Sequence, residues 1–241
     1  MKTLDFNCTL ITGGSGGIGR AMAQHLISQS EKVIIARRTE STLQSTAKEI
    51  GAAAYYILDT GAVSAIPSFT AQVTKDHPDL DRLVAGVQRP LQVLEMKPEE
   101  FLGKADQEID INICGPMHLT LGLLEHFRGK KEGAVGMNVS SVLGFIPTSV
   151  INPVYNGTKA WLHFWSMKLR TQLRDTNIKV VEIAPPTVAT NLHRERTDPD
   201  DNKKEKNPNA LSVDEFMNFV IRGWKKDRDV IGAGMSEKVV E

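Results

Sequence analysis

The sequence predicts an α/β fold, in which a doubly wound parallel β-sheet is flanked by helices on both faces of a single domain over residues 1–241. Two observations lead to this prediction. Short apolar runs, rich in Val, Ile and Leu and without polar alternation, have the composition of strands that are buried on both faces. Longer stretches with the apolar spacing of helices lie between these runs, and this alternation is typical of a parallel sheet.

The predicted elements follow one another along the chain without an internal repeat. We predict strands over residues 8–11, 32–36, 54–58, 82–84, 134–139, 179–183 and 230–231. We predict helices over residues 18–28, 40–50, 63–75, 98–127, 154–176 and 212–225. This order of elements is that of a Rossmann-type fold, which binds ligands at the carboxyl ends of its strands.

Composition and charge exclude several classes of protein. The chain has 241 residues and a formal net charge of zero, and it has no long basic stretch, so we expect no nucleic-acid partner. Only two cysteines are present, Cys8 and Cys114, which is unlike a disulfide framework and indicates a reducing compartment. Asp5 and Asn7 interrupt the N-terminal apolar residues, and no apolar run approaches the roughly 18 residues of a membrane span. We therefore expect a cytoplasmic protein with no membrane association.

Residues 191–210, here called the charged segment, differ in composition from the rest of the chain. Their sequence, NLHRERTDPDDNKKEKNPNA, is highly charged and almost free of apolar residues, which predicts a mobile loop rather than a core element. The segment follows the predicted strand 179–183, so it would lie at the carboxyl end of the sheet, where ligands bind. It is either a solvated insertion or a lid that becomes ordered over substrate.

A glycine-rich run, Thr12-Gly13-Gly14-Ser15-Gly16-Gly17-Ile18-Gly19, connects the first strand to the first helix. A strand, a glycine turn and a helix N-terminus together present backbone N–H groups to a phosphate. The spacing also approaches that of a P-loop, but Arg20 and Ala21 stand where that motif requires Lys and Ser or Thr. This departure disfavours hydrolysis of ATP or GTP.

The same run satisfies the G-x-S-x-G pattern of a nucleophile elbow, with Ser15 as the nucleophile of a hydrolase. The run follows the first strand, however, so no earlier strand and loop are present to form an oxyanion hole. We therefore prefer a dinucleotide site to a hydrolase site.

Two arginines, Arg37 and Arg38, end the second strand. In dinucleotide-binding folds this strand end reaches the adenosine ribose, where an acidic residue would bind the 2′-hydroxyl of NAD. A guanidinium group suits a 2′-phosphate instead, so the favoured cofactor is NADP(H), with Arg38 as the main contact. The alternative is that both arginines are solvated charges at the start of a helix.

Tyr155 and Lys159 are four residues apart and so lie on one face of a helix. An ammonium group beside a phenol stabilises the phenolate, and we expect it to lower the pKa of the tyrosine from about 10. Tyr155 is therefore a candidate proton donor or acceptor for a carbonyl and alcohol pair.

These motifs resemble those of the short-chain dehydrogenase/reductase family, and the resemblance covers nearly the whole chain. Its TGxxxGxG pattern matches Thr12, Gly13, Gly17 and Gly19, and its YxxxK pattern matches the tyrosine and lysine pair. The sequence Asn-Val-Ser-Ser at 138–141 resembles the strand end that carries the substrate-binding serine of the family. Asp-Ile-Asn at 110–112 resembles the segment that carries the catalytic asparagine of the family. Asp-Thr at 59–60 resembles the segment that contacts adenine, and the stretch 183–190 resembles the segment that holds the nicotinamide.

The resemblance implies hydride transfer between nicotinamide and a carbonyl carbon, with a ketone or aldehyde reduced to an alcohol, or the reverse. Tyr155 would exchange the proton, Lys159 would lower its pKa and bind the nicotinamide ribose, Ser141 would bind the substrate oxygen, and Asn112 would position a water molecule. The expected cofactor-binding residues are Gly13, Ser15, Gly17, Ile18, Gly19, Arg37, Arg38, Asp59, Tyr155, Lys159, Pro185, Val188 and Thr190. No metal ligand is expected among the six histidines, since their spacing fits no metal site.

The sequence departs from the family pattern at three places. The family carries Asn-Asn-Ala-Gly after the fourth strand, whereas residues 83–87 read Leu-Val-Ala-Gly-Val, and the loss of both asparagines predicts weakened cofactor binding. Ser141 lies fourteen residues before Tyr155, where thirteen is commoner, which leaves Ser140 as an alternative. Pro186 replaces a glycine, which would stiffen the loop on the nicotinamide side.

Two further expectations concern the surroundings of the site. Leu143, Phe145 and Ile146, within residues 142–152, predict an apolar substrate pocket. The aromatic residues that follow Lys159 on its helix are either an interface of a homodimer or homotetramer, as the resemblance implies, or part of the core; they are Trp161, Phe164 and Trp165. A non-catalytic protein that senses NADP on the same fold is the alternative function.

Overall fold

The computed structural model describes residues 6–85, 96–193, 196 and 198–241. Within these residues the strands are β1 (Cys8–Thr12), β2 (Lys32–Arg37), β3 (Ala54–Ile57), β4 (Arg82–Ala85), β5 (Ala134–Val139), β6 (Ile178–Ala184) and β7 (Val230–Gly232). The α-helices are α1 (Gly17–Ser28), α2 (Glu40–Ile50), α3 (Ile66–Asp76), α4 (Pro98–Ile109), α5 (Gly115–Arg128), α6 (Pro153–Leu173), α7 (Val213–Lys225) and α8 (Glu237–Val240).

The strands of the described residues form one sheet of seven strands in the order β3-β2-β1-β4-β5-β6-β7. Each neighbouring pair is parallel. The chain runs outward from β1 to β3, returns to β4 on the other side of β1, and then continues outward to β7. The order therefore reverses between β1 and β4, and the crevice at the carboxyl ends there is the usual ligand site of such sheets. The predicted doubly wound α/β fold is confirmed.

Successive residues of the central strands face opposite sides of the sheet, so each side has its own core. On one side Ile11 and Ile35 pack in a cluster with residues of α1, α2 and α7. On the other side Leu10 and Ile34 pack in a second cluster with residues of α3 and α5. Burying such a side chain contributes about 1.5–3 kcal/mol, which explains why these strands carry continuous apolar runs.

One predicted helix, over residues 98–127, is interrupted in the structure. A π-helical turn over Asp110–Cys114 separates α4 from α5. A Cβ atom on Gly115 would lie 2.6 Å from the carbonyl oxygen of Thr60, so the helix approaches the loop after β3 too closely for a side chain at this position. The stretch 98–127 is therefore helical throughout, as predicted, but the π turn within it was not predicted. Short π turns of this kind occur frequently at functional sites.

The described residues of the charged segment make specific contacts with the rest of the chain. They form successive turns, and Asn202 is only 1 % exposed. The carboxamide of Asn202 donates hydrogen bonds of 3.0 and 3.1 Å to the carbonyl oxygens of Val188 and Thr190. Lys203 Nζ donates a further hydrogen bond of 2.8 Å to the carbonyl oxygen of Thr190. These contacts hold the segment against the stretch that follows β6.

No helix in the described part of the chain combines the length and the apolar composition that crossing a lipid bilayer requires.

Candidate active site

The glycine turn follows β1 and leads into α1 at the point where the strand order reverses. Gly13 has a φ of 72°, in the left-handed region that favours glycine. A Cβ atom on Gly19 would lie 2.6 Å from the carbonyl oxygen of Gly13, so only glycine lets the helix pack this closely on the turn. The first turn of α1 contains no acidic residue, which suits the binding of an anion at the helix N-terminus.

The glycine turn adjoins the stretch after β6. A Cβ atom on Gly17 would lie 3.4 Å from Cβ of Thr190, so these two predicted cofactor segments lie side by side. Pro185, Val188 and Thr190 are buried, and Ile18 is half-buried against the core cluster of α1. The structure therefore brings these predicted cofactor residues to one crevice.

The two arginines at the end of β2 differ in their surroundings. Arg37 is half-buried, and its Nη1 donates a hydrogen bond of 2.9 Å to Oγ of Ser15 in the glycine turn. Arg38 is exposed. Asp59 follows β3, and its Oδ1 accepts a hydrogen bond of 3.0 Å from the backbone N–H of Gly61. The carboxylate of Asp59 therefore orders its own loop at the same edge of the sheet.

The two serines at the end of β5 have different partners. The hydroxyl of Ser140 donates a hydrogen bond of 2.5 Å to Oε1 of Glu182 on the adjacent strand β6. Ser141 caps a short 3₁₀ helix, where its Oγ accepts from the backbone N–H of Leu143 at 3.2 Å, and its side chain is hydrogen-bonded to Tyr155. The geometry therefore directs Ser141, and not Ser140, to the tyrosine.

Tyr155 and Lys159 lie one turn apart on α6, and both are buried. Lys159 Nζ is 5.4 Å from the centroid of the Tyr155 ring, and it donates a hydrogen bond of 2.8 Å to the carbonyl oxygen of Val139. Burial lowers the pKa of Lys159 to about 8, although the carboxylates of Glu108 and Glu182 oppose this shift. The pair that the sequence predicts is therefore assembled at the end of β5.

The predicted lowering of the tyrosine pKa was wrong for the cofactor-free chain. Burial raises the pKa of the Tyr155 phenol above its usual range, and the negative charge of Glu108 adds to this effect. The hydrogen bond with Ser141 and the positive charge of Arg196 act in the opposite direction. The cost of burying a phenolate dominates because Tyr155 is enclosed by the protein.

Asn112 lies in the π turn between α4 and α5 and is fully buried. Its Nδ2 donates a hydrogen bond of 3.2 Å to Oγ1 of Thr158, whose own hydroxyl donates to the carbonyl oxygen of Tyr155 at 2.9 Å. The asparagine is thus joined to α6 between the tyrosine and the lysine. The four predicted catalytic residues, from three separate parts of the sequence, lie at this place.

Several charged groups around the site are not among the residues that the sequence motifs indicate. Glu182 is fully buried in β6, Glu108 is buried in α4, and both act on Lys159. Arg196 of the charged segment donates to Asp201 Oδ2 at 2.6 Å and, in the amide orientation that satisfies both groups, to the Asn152 carboxamide at 3.0 Å. The one sign of these groups in the sequence is the glutamate within the mostly apolar strand 178–184, because a strand buried on both faces must bury that carboxylate.

Other predicted features have mixed outcomes. β4 ends at Ala85, and Gly86 and Val87, where the missing asparagines were noted, lie outside the described residues. Phe164 is 61 % exposed and so does not belong to the core, while Trp161 and Trp165 are half-buried and stack with centroids 5.5 Å apart. Among the described residues, no group of three or more His, Cys, Asp or Glu side chains could hold a metal ion.

Comparison with known proteins identifies the family of the chain. The family model described as short chain dehydrogenase matches residues 7–201. "Uncharacterized oxidoreductase DltE" of Bacillus subtilis is 34 % identical over 93 % of this chain and 87 % of its own length. "NADP-dependent 3-hydroxy acid dehydrogenase YdfG" of Escherichia coli K12 is 32 % identical over 82 % of this chain and 79 % of its own length.

Solved structures have the same fold. A short-chain dehydrogenase from Sphingobium yanoikuyae in complex with NADPH superposes with a TM-score of 0.81 at 21 % identity, over 94 % of this chain and 87 % of that chain. The closed form of a serine dehydrogenase complexed with NADP+ superposes with a TM-score of 0.79 at 25 % identity, over 93 % of both chains. With the family match over most of its length and the site described above, the chain belongs to the short-chain dehydrogenase family of oxidoreductases.

Proposed function

We propose that the protein is an NADP(H)-dependent oxidoreductase that reduces a ketone or aldehyde to an alcohol, or catalyses the reverse reaction. One observation carries this proposal: Ser141, Tyr155, Lys159 and Asn112 come together at the end of β5, at the same edge of the sheet as the glycine turn. A buried phenol hydrogen-bonded to a hydroxyl, with an ammonium group nearby, is an arrangement suited to proton exchange with a carbonyl oxygen.

The residues of the crevice fit NADP(H). The glycine turn and the N-terminus of α1 would hold the pyrophosphate, and the stretch containing Pro185, Val188 and Thr190 would hold the nicotinamide. Arg37 and Arg38 provide the positive charge that a 2′-phosphate requires. When bound, the cofactor supplies or accepts the hydride, and the protein supplies orientation and the proton.

Each catalytic residue has a defined task in this proposal. Ser141 binds the substrate oxygen through its hydroxyl, and Tyr155 donates a proton to the same oxygen during reduction. Lys159, as an ammonium ion, favours the phenolate that Tyr155 becomes after donating its proton. Asn112, which is hydrogen-bonded to Thr158, positions a water molecule through which the proton is exchanged. In the oxidative direction the same groups remove the proton from the alcohol.

The charged segment bears on the class of substrate. We propose that it is a lid, because Arg196 acts electrostatically on Tyr155 and contacts Asn152 at the start of α6. A guanidinium group at this place would bind a carboxylate of the substrate. Relatives named 3-hydroxy acid dehydrogenases have such a substrate, so 3-hydroxy acids and the corresponding 3-oxo acids belong in any substrate panel.

The test is oxidation of NADPH over a panel of ketones, aldehydes and 3-oxo acids. We expect turnover with at least one member, and we expect Tyr155→Phe to lower kcat about 10²–10⁴-fold, the usual contribution of a general acid. Tyr55→Phe is the matched control, since Tyr55 lies on the edge strand β3 and is partly exposed. An equal effect of both substitutions would contradict the proposal.

The alternative is a non-catalytic protein that senses NADP, which the loss of two asparagines near Ala85 favours. Binding of NADPH, measured by tryptophan fluorescence, without turnover of any substrate would support a role as a sensor of NADP. A Tyr155→Phe variant that binds NADPH with unchanged affinity and has no other phenotype would agree with that outcome.

We further propose a cytoplasmic homodimer or homotetramer. Cys8 and Cys114 are both free thiols, as expected in a reducing compartment. The exposed ring of Phe164 on α6 lies near the stacked pair Trp161 and Trp165, and a second copy of the chain would cover this surface.

A further inference from the structure

Glu182 is a buried carboxylate that the proposed reaction does not use. It lies in β6 with 0 % exposure, and it is hydrogen-bonded at both oxygens. Oε1 accepts from the Ser140 hydroxyl at 2.5 Å, and Oε2 lies 2.9 Å from Nδ1 of His163. Because burying a carboxylate is costly unless it is paired and hydrogen-bonded, a charge at this position requires compensation from its surroundings.

Both hydrogen-bond partners of Glu182 lie close in sequence to Lys159 or to the residue that Lys159 contacts. Ser140 directly follows Val139, whose carbonyl oxygen accepts the 2.8 Å hydrogen bond from Lys159 Nζ. His163 lies one turn after Lys159 on α6, so it faces the same side of the helix. The contacts therefore form a closed path from Lys159 through β5 to Glu182 and back to α6 through His163.

Electrostatics agrees with this geometry. Burial holds the pKa of Lys159 down at about 8, while Glu108 from α4 and Glu182 from β6 both favour the ammonium form. Glu108 also raises the pKa of Tyr155, so its removal would change the pKa values of both members of the catalytic pair. Glu182 is thus the carboxylate whose removal tests the charge of the lysine most directly.

We propose that Glu182, held by Ser140 and His163, is a positioning residue that keeps Lys159 protonated and fixed beside Tyr155. The kinetic part of this inference rests on the proposed function, whereas the electrostatic part concerns the folded chain alone. Glu182 itself touches neither substrate nor cofactor in this scheme and acts through the lysine.

The kinetic test compares Glu182→Gln with the wild type over a range of pH. The amide keeps an oxygen that can accept from Ser140 but removes the negative charge. We expect the alkaline limb of the plot of kcat against pH for carbonyl reduction to move to lower pH by about one unit. This shift corresponds to a tenfold decrease, at fixed pH, in the ratio of protonated to neutral Lys159. Glu132→Gln is the matched control, because it makes the same change at an exposed carboxylate before the start of β5 and should leave the limb in place. A purely structural role would lower kcat at every pH without moving the limb, and that result overturns the proposal.

A second test needs no turnover. We expect Glu182→Gln to lower the urea midpoint of unfolding more in the wild type than in a Lys159→Met background, because only the wild type loses an attraction between the two groups. If Glu182→Gln alone does not fold but the double variant Glu182→Gln, Lys159→Met does, that outcome supports the proposal for the same reason. Equal decreases in both backgrounds overturn the proposal. If the wild type reduces no carbonyl, the proposed function fails, and the urea comparison alone decides the role of Glu182.

Discussion

The guanidinium of Arg37 donates a 2.9 Å hydrogen bond to the hydroxyl of Ser15, and this contact joins the end of β2 to the glycine turn. The positive charge is therefore held at the edge of the crevice, whereas Arg38, one residue further on, is exposed. A 2′-phosphate bound here would be reached by both side chains from the same strand end.

Arg38→Asp is expected to lower kcat/KM with NADPH by about 10–100-fold, since a hydrogen bond to a charged group contributes about 1.5–3 kcal/mol. Use of NADH, which has no 2′-phosphate, should change far less. Steady-state kinetics with both cofactors checks this prediction, and Arg128→Asp on the exposed part of α5 is a suitable control. Equal losses with NADPH and NADH would contradict the role of Arg38.

Thr158→Val should destabilise the protein by about 1–3 kcal/mol, because the buried carboxamide of Asn112 loses the acceptor of its hydrogen bond. Thr158→Ser keeps the hydroxyl and should remain close to the wild type. Urea denaturation of the two variants measures the difference. Equal stability of the valine and serine variants would show that this hydrogen bond does not hold Asn112.

Lys159 predicts a pH-dependent contribution to stability. Its pKa in the folded chain is lowered from 10.5 to about 8, so between these values the unfolded chain binds more protons and the contribution of Lys159 rises with pH. Relative to Lys159→Met, the wild type should gain up to about 3 kcal/mol of unfolding free energy between about pH 7 and 10.5. Urea denaturation of the cofactor-free proteins at each pH provides the measurement. A difference that does not vary with pH would mean that the lysine is not buried as the structure describes.

Phe164→Glu should dissociate the proposed oligomer, because a charge replaces an exposed ring on α6 that the second copy would cover. Met235→Glu changes another exposed apolar side chain, in the short turn after β7, and should leave the assembly intact. Light scattering after size-exclusion chromatography distinguishes the two results. A monomeric wild type would remove this surface from consideration as an interface.

The fold could be predicted because its signals are local. The continuous apolar strands, the glycine turn and the tyrosine and lysine pair each lie within a few residues of sequence. The π turn at Asp110–Cys114 is followed directly by Gly115 and Pro116, a pair that weakens a helix but does not by itself indicate a π turn. The close approach of Gly115 to the loop of Thr60, which is far away in sequence, is visible only in the folded chain.

The electrostatics of the site could not be predicted for a similar reason. The pKa of Tyr155 depends on how completely the fold encloses the phenol and on Glu108 from another helix, and neither follows from the spacing to Lys159. The choice between Ser140 and Ser141 likewise depended on Glu182, which lies on a neighbouring strand. Pairings across the sheet decide these properties, and sequence spacing alone does not contain them.

The residues that flank the charged segment on its two sides are held together by backbone hydrogen bonds. Leu211 donates to the carbonyl oxygen of Thr187 at 3.0 Å and accepts from the N–H of Ala189 at 2.8 Å. A loop closed in this way can change in length at a cost of only about 0.6 kcal/mol for each doubling. If the segment is the lid proposed above, its length and sequence are the place where substrate preference would change without any change in the sheet or in the residues around Tyr155.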